Sequence, residues 1–194
     1  MTDTDPFAWF QSWMTEAEAS EPSDPNAMTV VTVGLGGKPS ARTILLKGVD
    51  PRGFVFYTNT HSRKGHELSS NPLISLLFYW KSLGRQIRIE GTVESVPGAE
   101  ADAYYASRAR ISRLGAWASD QSRPLSDRAE LERRLGHFEK QFPGEDIPRP
   151  PHWSGYRVLP ERFEFWRDMP FRLHDRTIFE RVPGGGWTRG KLFP

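Results

Sequence analysis

The sequence has 194 residues, 37% hydrophobic and 12% aromatic, with a formal net charge of +2 and no cysteine. That length supports one domain with a sizeable core. The composition excludes disulfides, thiolate nucleophiles and cysteine-ligated metals, no apolar run is long enough for a membrane-spanning helix, and 26 basic against 24 acidic residues make no nucleic-acid footprint.

The opening MTDTDPFAWF carries acids and no basic n-region, which argues against a secretory signal, and the lack of cysteine suits a reducing cytoplasm. Asp5 and Pro6 start an amphipathic helix over about 6–18, with Phe7, Phe10, Trp13, Met14 and Ala17 as its apolar positions. Residues 20–26 read as a loop, and Ala27–Val33 as a β-branched strand that turns back into a strand beginning at Arg42. Thr43–Leu46 and Phe54–Tyr57 are apolar runs flanking a Gly-Val-Asp-Pro-Arg-Gly connection. Strand alternation puts Arg42, Ile44 and Leu46 on one face and Thr43, Leu45 and Lys47 on the other. Two cations on opposite faces suit two separate anions, or one anion and a solvated surface.

Ser62 can cap a short helix ending before Pro72, so Arg63 and Lys64 stand at a helix start, where free N–H groups favour phosphate. Ile74–Trp80 and Arg85–Val96 read as strands, with Gly91 marking a bulge or a close backbone approach. Residues 99–107 look helical, and Asp127 to Glu130 has capping-box spacing before the face Leu131, Leu135, Phe138 and Phe142. After a proline-rich loop at 143–151 come two short strand candidates, Tyr156–Leu159 and Glu161–Arg167. A further strand lies within 173–182, and three glycines before Trp187 allow a final hairpin. Strands joined by hairpins point to an antiparallel barrel-like sheet, mainly β with peripheral helices. With no GxGxxG and no P-loop, any nucleotide must be held by side chains from strands.

Two anion seats can be drawn. The first is Arg42, Arg63 and Lys64 with the helix start. The second is Lys47 with Tyr104, Arg108 and Ser112, whose spacing of four would align phenol, guanidinium and hydroxyl on one helix. The alternative packs Tyr104 in the core and leaves Arg108 and Ser112 in water. Gln121 and Ser122 are neutral hydrogen-bonding groups in a small-residue loop, and an ordinary turn explains them equally well. In an extended segment Arg172, His174 and Arg176 face the same way, and such crowding disfavours a charged imidazole. None of the five histidines has metal-ligand spacing, and no acid pair or activated nucleophile is visible. A cofactor would therefore carry the bond chemistry.

The blocks NAMTVVTV, ARTILLKGVDPRGFVFYTNTHSRKG, FYWKSLGRQIRIEGTVE, DAYYASRARISRLGAWASDQS, PRPPHWSGYRVLP and FEFWRDMPFRLHDR, in this order, resemble the pyridoxamine 5'-phosphate oxidase family, FMN enzymes of the split-barrel fold. The resemblance covers nearly the whole sequence and implies one FMN-binding domain over 1–194, its C-terminal segment of about 151–194 completing the site. It implies FMN contacts from Arg42, Thr43, Ile44, Leu45, Leu46, Lys47, Tyr57, Thr58, Arg63, Lys64 and Gln86. It also implies that Gln121, Ser122, Trp166 and Arg176 come from the partner subunit of a homodimer with FMN at the interface. Lys47, Tyr104, Arg108 and Ser112 would hold the substrate phosphate, and Arg172, Leu173 and His174 would lie over the substrate ring, Arg172 and His174 nearest the reacting carbon. The implied reaction oxidises pyridoxine 5'-phosphate or pyridoxamine 5'-phosphate with dioxygen to pyridoxal 5'-phosphate. The alternatives are a split-barrel FMN oxidase of another aromatic, such as a phenazine precursor, or a flavin-binding module without turnover. Family members commonly carry a basic N-terminal extension over the substrate; the sequence opens close to the DPF helix, so a missing or shortened lid is expected.

Overall fold

The computed structural model describes residues 5–194; the acidic opening of the sequence lies largely outside them. In chain order the elements are α1 (Pro6–Ser20), β1 (Ala27–Val33), β2 (Pro39–Leu45), β3 (Gly48–Asp50), β4 (Gly53–Asn59), α2 (Arg63–Ser70), β5 (Leu73–Trp80), β6 (Arg85–Ser95), α3 (Gly98–Ser107), α4 (Arg110–Ala118), α5 (Arg128–Gln141), β7 (Trp153–Arg167), β8 (Asp175–Arg181) and β9 (Trp187–Leu192). The strands pair antiparallel in the order β2-β1-β5-β6-β7-β4-β3, with β8 and β9 continuing from β7.

The apolar runs around residue 48 do not pair with each other. β2 pairs with β1, whereas the short β3 pairs with β4. The link between them bends across the gap: Leu46 N–H donates to Asn26 O at 2.9 Å and Lys47 N–H to Val55 O at 2.8 Å. One continuous segment thus joins both ends of the strand order, and the sheet curls as a split barrel. Lys47 sits at that bend.

The two strand candidates after residue 155 are one fifteen-residue strand, β7. Pro160 does not break it, because β7 changes partners there, pairing β4 through Val158 and β8 from Arg162. Opposite Pro160 the register of β6 shifts between Glu90 and Gly91. A Cβ on Gly91 would lie 2.1 Å from the Leu159 carbonyl oxygen, so the bulge requires glycine.

Helix α1 begins where Asp5 Oδ1 accepts the Phe7 N–H at 2.9 Å. Its apolar face, Phe10, Met14 and Ala17, is buried against the barrel interior. The Phe10 ring sits 4.8 Å from Phe54 and 5.2 Å from Phe78. Burying such a side chain contributes roughly 2–3 kcal/mol. Among the described residues, no helix is long and apolar enough to cross a membrane.

Candidate active site

Strand β4 and helix α2 build the first seat. Ser62 caps α2 by accepting the Gly65 N–H, which places Arg63 and Lys64 in the first turn. Lys64 is buried; its Nζ donates to Gln121 Oε1 at 2.7 Å and to Thr58 Oγ1 at 2.8 Å. Burial, then the nearby Arg42 charge, pushes the Lys64 pKa down to about 8. Arg42 lies on the inward face of β2 with Ile44, while Thr43, Leu45 and Lys47 are exposed. Its guanidinium donates to Thr32 Oγ1 at 2.6 Å and Ser40 Oγ at 2.5 Å, and pairs with Glu67 at 3.4 Å. The Glu67 carboxylate also receives Arg63 Nε at 2.8 Å.

Beside this seat lies a cavity of about 390 Å³. Lys47, Tyr57, Thr58, Tyr104, Arg108, Ser112 and Gln121 line it, joined by Asn59, Ser119 and Trp153, which sequence reasoning had not singled out. Tyr104, Arg108 and Ser112 do converge, but not along one helix. Helix α3 stops at Ser107, Arg108 and Ala109 are extended, and α4 restarts at Arg110. The Tyr105 hydroxyl donates to the Arg113 carbonyl at 2.9 Å and folds the two helices onto one wall. Three parallel rings form the adjoining wall: Tyr57 lies 4.1 Å from Tyr104 and 5.2 Å from Trp153. The Arg108 guanidinium packs 4.9 Å over Trp153. Its Nη1 is buried without a hydrogen-bond partner, and burial pushes its pKa down. A guanidinium nitrogen that no protein group answers, beside Lys47, a phenol and a hydroxyl, is a donor set able to receive a phosphate.

Gln121 reaches Lys64 and Thr58 of its own chain, whereas the resemblance implied that the partner subunit supplies it; Ser122 follows in a left-handed turn with φ of 70°. The loop after α4 folds back over α2, a contact that spacing could not show.

Gln86, Trp166 and Arg176 form a second group, placed side by side by the registers of β6, β7 and β8. Buried Glu164 accepts from Arg176 Nε at 2.8 Å and from Arg88. Burial pushes this carboxyl up, but the hydrogen bonds from Arg176 and Arg88 outweigh it and hold it below its usual range. The expected extended run from Arg172 to Arg176 does not form. Phe171 and Arg172 adopt left-handed φ of 60° and 62°, and Arg172 and Leu173 are exposed. Consecutive left-handed non-glycine residues store strain of roughly 1–3 kcal/mol each. His174 packs 4.6 Å from Trp166, with Nδ1 3.0 Å from the Asp168 carboxylate in place of the expected cationic crowd.

Within one chain the two groups stand apart. Trp153 in the cavity and Trp166 in the second group are thirteen residues apart on β7, about 40 Å of strand contour. His61 stacks with His66 at 6.3 Å and lies 5.8 Å from His152, a proximity that spacing had not suggested. Among the described residues no three His, Asp or Glu side chains are arranged to hold a metal ion.

A family model described as pyridoxamine 5'-phosphate oxidase matches residues 14–142, and one described as the pyridoxine 5'-phosphate oxidase C-terminal dimerisation region matches residues 153–194. The pyridoxine/pyridoxamine 5'-phosphate oxidase of Gluconobacter oxydans (strain 621H) is 62% identical over 190 residues, covering 98% of this chain and 94% of its own. That of Caulobacter vibrioides (strain NA1000 / CB15N) is 60% identical over 194 residues, covering 100% of this chain and 87% of its own. The crystal structure of PhzG from Burkholderia lata 383, in complex with tetrahydrophenazine-1-carboxylic acid, matches with a TM-score of 0.93 at 33% identity, covering 100% of this chain and 94% of that one. The chain belongs to the pyridoxamine 5'-phosphate oxidase family.

Proposed function

We propose that this protein is an FMN-dependent pyridoxine/pyridoxamine 5'-phosphate oxidase. It converts pyridoxine 5'-phosphate with dioxygen to pyridoxal 5'-phosphate and hydrogen peroxide; pyridoxamine 5'-phosphate is oxidised in the same way to the imine, which water hydrolyses to pyridoxal 5'-phosphate and ammonia. The observation that carries the reading is the cavity in which Lys47, Tyr104, Ser112 and the unpartnered Arg108 Nη1 converge beside the Arg42–Lys64 seat. A phenazine precursor without a phosphate would leave that donor set unanswered.

The residues fit FMN. Arg42, Arg63 and Lys64 form a cationic seat suited to its phosphate, and Thr58 and Gln121 present neutral hydrogen-bonding groups next to it. Bound FMN would take up the hydride equivalent lost by the substrate C4' and pass the electrons to dioxygen. The chain's own part is binding and orientation. Lys47 and Arg108 neutralise the substrate phosphate while Tyr104 and Ser112 donate hydroxyl hydrogen bonds, so that remote binding energy fixes the ring.

The site is completed by a second copy in a homodimer. This is supported by the dimerisation region matched at 153–194 and by the strand length that separates the two groups. Gln86, Trp166 and Arg176 of the partner subunit would close on the FMN. Arg172, Leu173 and His174 of the partner subunit would cover the substrate ring, Arg172 and His174 orienting it near C4'. The single domain over 1–194 thus uses its segment of about 151–194 to complete its neighbour's site. A reducing cytoplasmic setting belongs to the same proposal, which a chain without cysteine suits.

The test is turnover of pyridoxine 5'-phosphate and pyridoxamine 5'-phosphate, measuring aldehyde and peroxide together, with unphosphorylated pyridoxine as the control. Stoichiometric aldehyde and peroxide from the phosphorylated forms are expected. Equal turnover of the unphosphorylated form would overturn the assignment of the cavity.

A further inference from the structure

A carboxylate lies inside the first seat, where an anion is least expected. Glu67 is buried on α2, four residues after Arg63. Its Oε2 accepts from Thr32 Oγ1 at 2.5 Å, from Ser40 Oγ at 2.5 Å and from Arg42 Nη2 at 3.4 Å, while its Oε1 accepts from Arg63 Nε at 2.8 Å. Thr32 and Ser40 also accept from Arg42, at 2.6 and 2.5 Å. One carboxylate therefore ties together both arginines, through direct contacts and through two hydroxyls from β1 and β2. Burial pushes the Glu67 carboxyl up, but hydrogen bonds from Ser40, Thr32 and Arg63 outweigh it and hold the pKa at about 2. The group stays ionised at any pH at which the protein works.

An anion here repels a phosphate, and burying it costs free energy. Two consequences offset that. Glu67 holds Arg42 and Arg63 in fixed orientations before any ligand arrives, which removes the ordering cost of two long side chains. Set against Arg42, Arg63 and Lys64, it also leaves the seat with a formal charge of +2, the complement of a phosphomonoester dianion.

We infer that Glu67 is a positioning residue for the flavin phosphate, acting through Arg42 and Arg63 without touching the flavin itself. The inference rests on the reading that Arg42, Arg63 and Lys64 receive the FMN phosphate. It predicts a signature that a merely structural carboxylate would not give: loss of Glu67 weakens FMN but spares riboflavin, which has the same ring and no phosphate.

The experiment titrates flavin-free protein with FMN and with riboflavin, following flavin fluorescence, for the wild type, Glu67→Gln, Ser40→Ala and Arg42→Ala. Glu67→Gln is expected to weaken FMN about 10- to 100-fold and riboflavin by no more than about 2-fold. Ser40→Ala, which removes one hydroxyl of the relay, is expected to weaken FMN about 3- to 10-fold with riboflavin unmoved. It carries the test if Glu67→Gln does not fold. FMN binding that is unchanged or tighter in both variants, or equal losses for FMN and riboflavin, would overturn the inference. If Arg42→Ala weakens FMN while the Glu67 and Ser40 variants do not, only the positioning role fails. If Arg42→Ala also leaves FMN affinity unchanged, the reading of the seat itself fails.

Discussion

Replacing Arg108 with leucine separates binding from folding. No protein group accepts from the buried Arg108 Nη1. Leaving such a group unsatisfied costs about 1–3 kcal/mol. Its compensation is the stacking over Trp153 at 4.9 Å, worth about 0.5–1 kcal/mol. Arg108→Leu keeps most of the apolar packing and removes the orphaned nitrogen, so the ligand-free fold is expected to be as stable as the wild type or up to about 2 kcal/mol more stable. The phosphorylated substrate loses a charge-assisted contact of about 1.5–3 kcal/mol, so kcat/KM falls about 10- to 150-fold. The assay is peroxide and aldehyde release with pyridoxine 5'-phosphate and with unphosphorylated pyridoxine, alongside thermal melting of the ligand-free protein. A fall in kcat/KM confined to the phosphorylated substrate, with melting unchanged or raised, is expected. Equal falls for both substrates, or a melting temperature lowered by several degrees, would show that Arg108 serves the fold and refute the reasoning.

Lys64 has its pKa lowered from 10.5 to about 8. FMN affinity should therefore fall as pH rises through about 8, and Lys64→Met should flatten that profile in a fluorescence titration. Between about 8 and 10.5 the unfolded chain binds the Lys64 proton that the folded chain has released, so this residue makes ligand-free stability rise with pH across that window. Urea melts at several pH values check the sign. Mixing refolded Arg108→Ala chains with His174→Ala chains should restore about a quarter of wild-type activity, because half the dimers are mixed and each mixed dimer holds one intact site; no recovery would place both residues in one chain's site. Gly91→Ala puts a methyl group against the Leu159 carbonyl oxygen and should destabilise the fold by about 2–3 kcal/mol in urea unfolding.

Local pattern determined much of this molecule by itself. The cap at Asp5, the apolar face of α1, the alternation that turns Arg42 and Lys47 opposite ways, the Ser62 helix start and the bulge at Gly91 all depend on neighbours within a few residues, and such physics is written in residue order. Long-range closure decided the rest. The bend at Lys47 joins strands from opposite ends of the sheet, and Pro160 is tolerated because β7 changes partners there. Tyr104, Arg108 and Ser112 meet across a helix break, and Gln121 reaches Lys64 over 57 residues. Nothing in residue order marks Glu67; Thr32, Ser40 and Arg42 close around it only in the folded chain. Spacing records which residues can share an element. Which elements share a wall is set by how the barrel buries its aromatic core, and only the folded chain shows that.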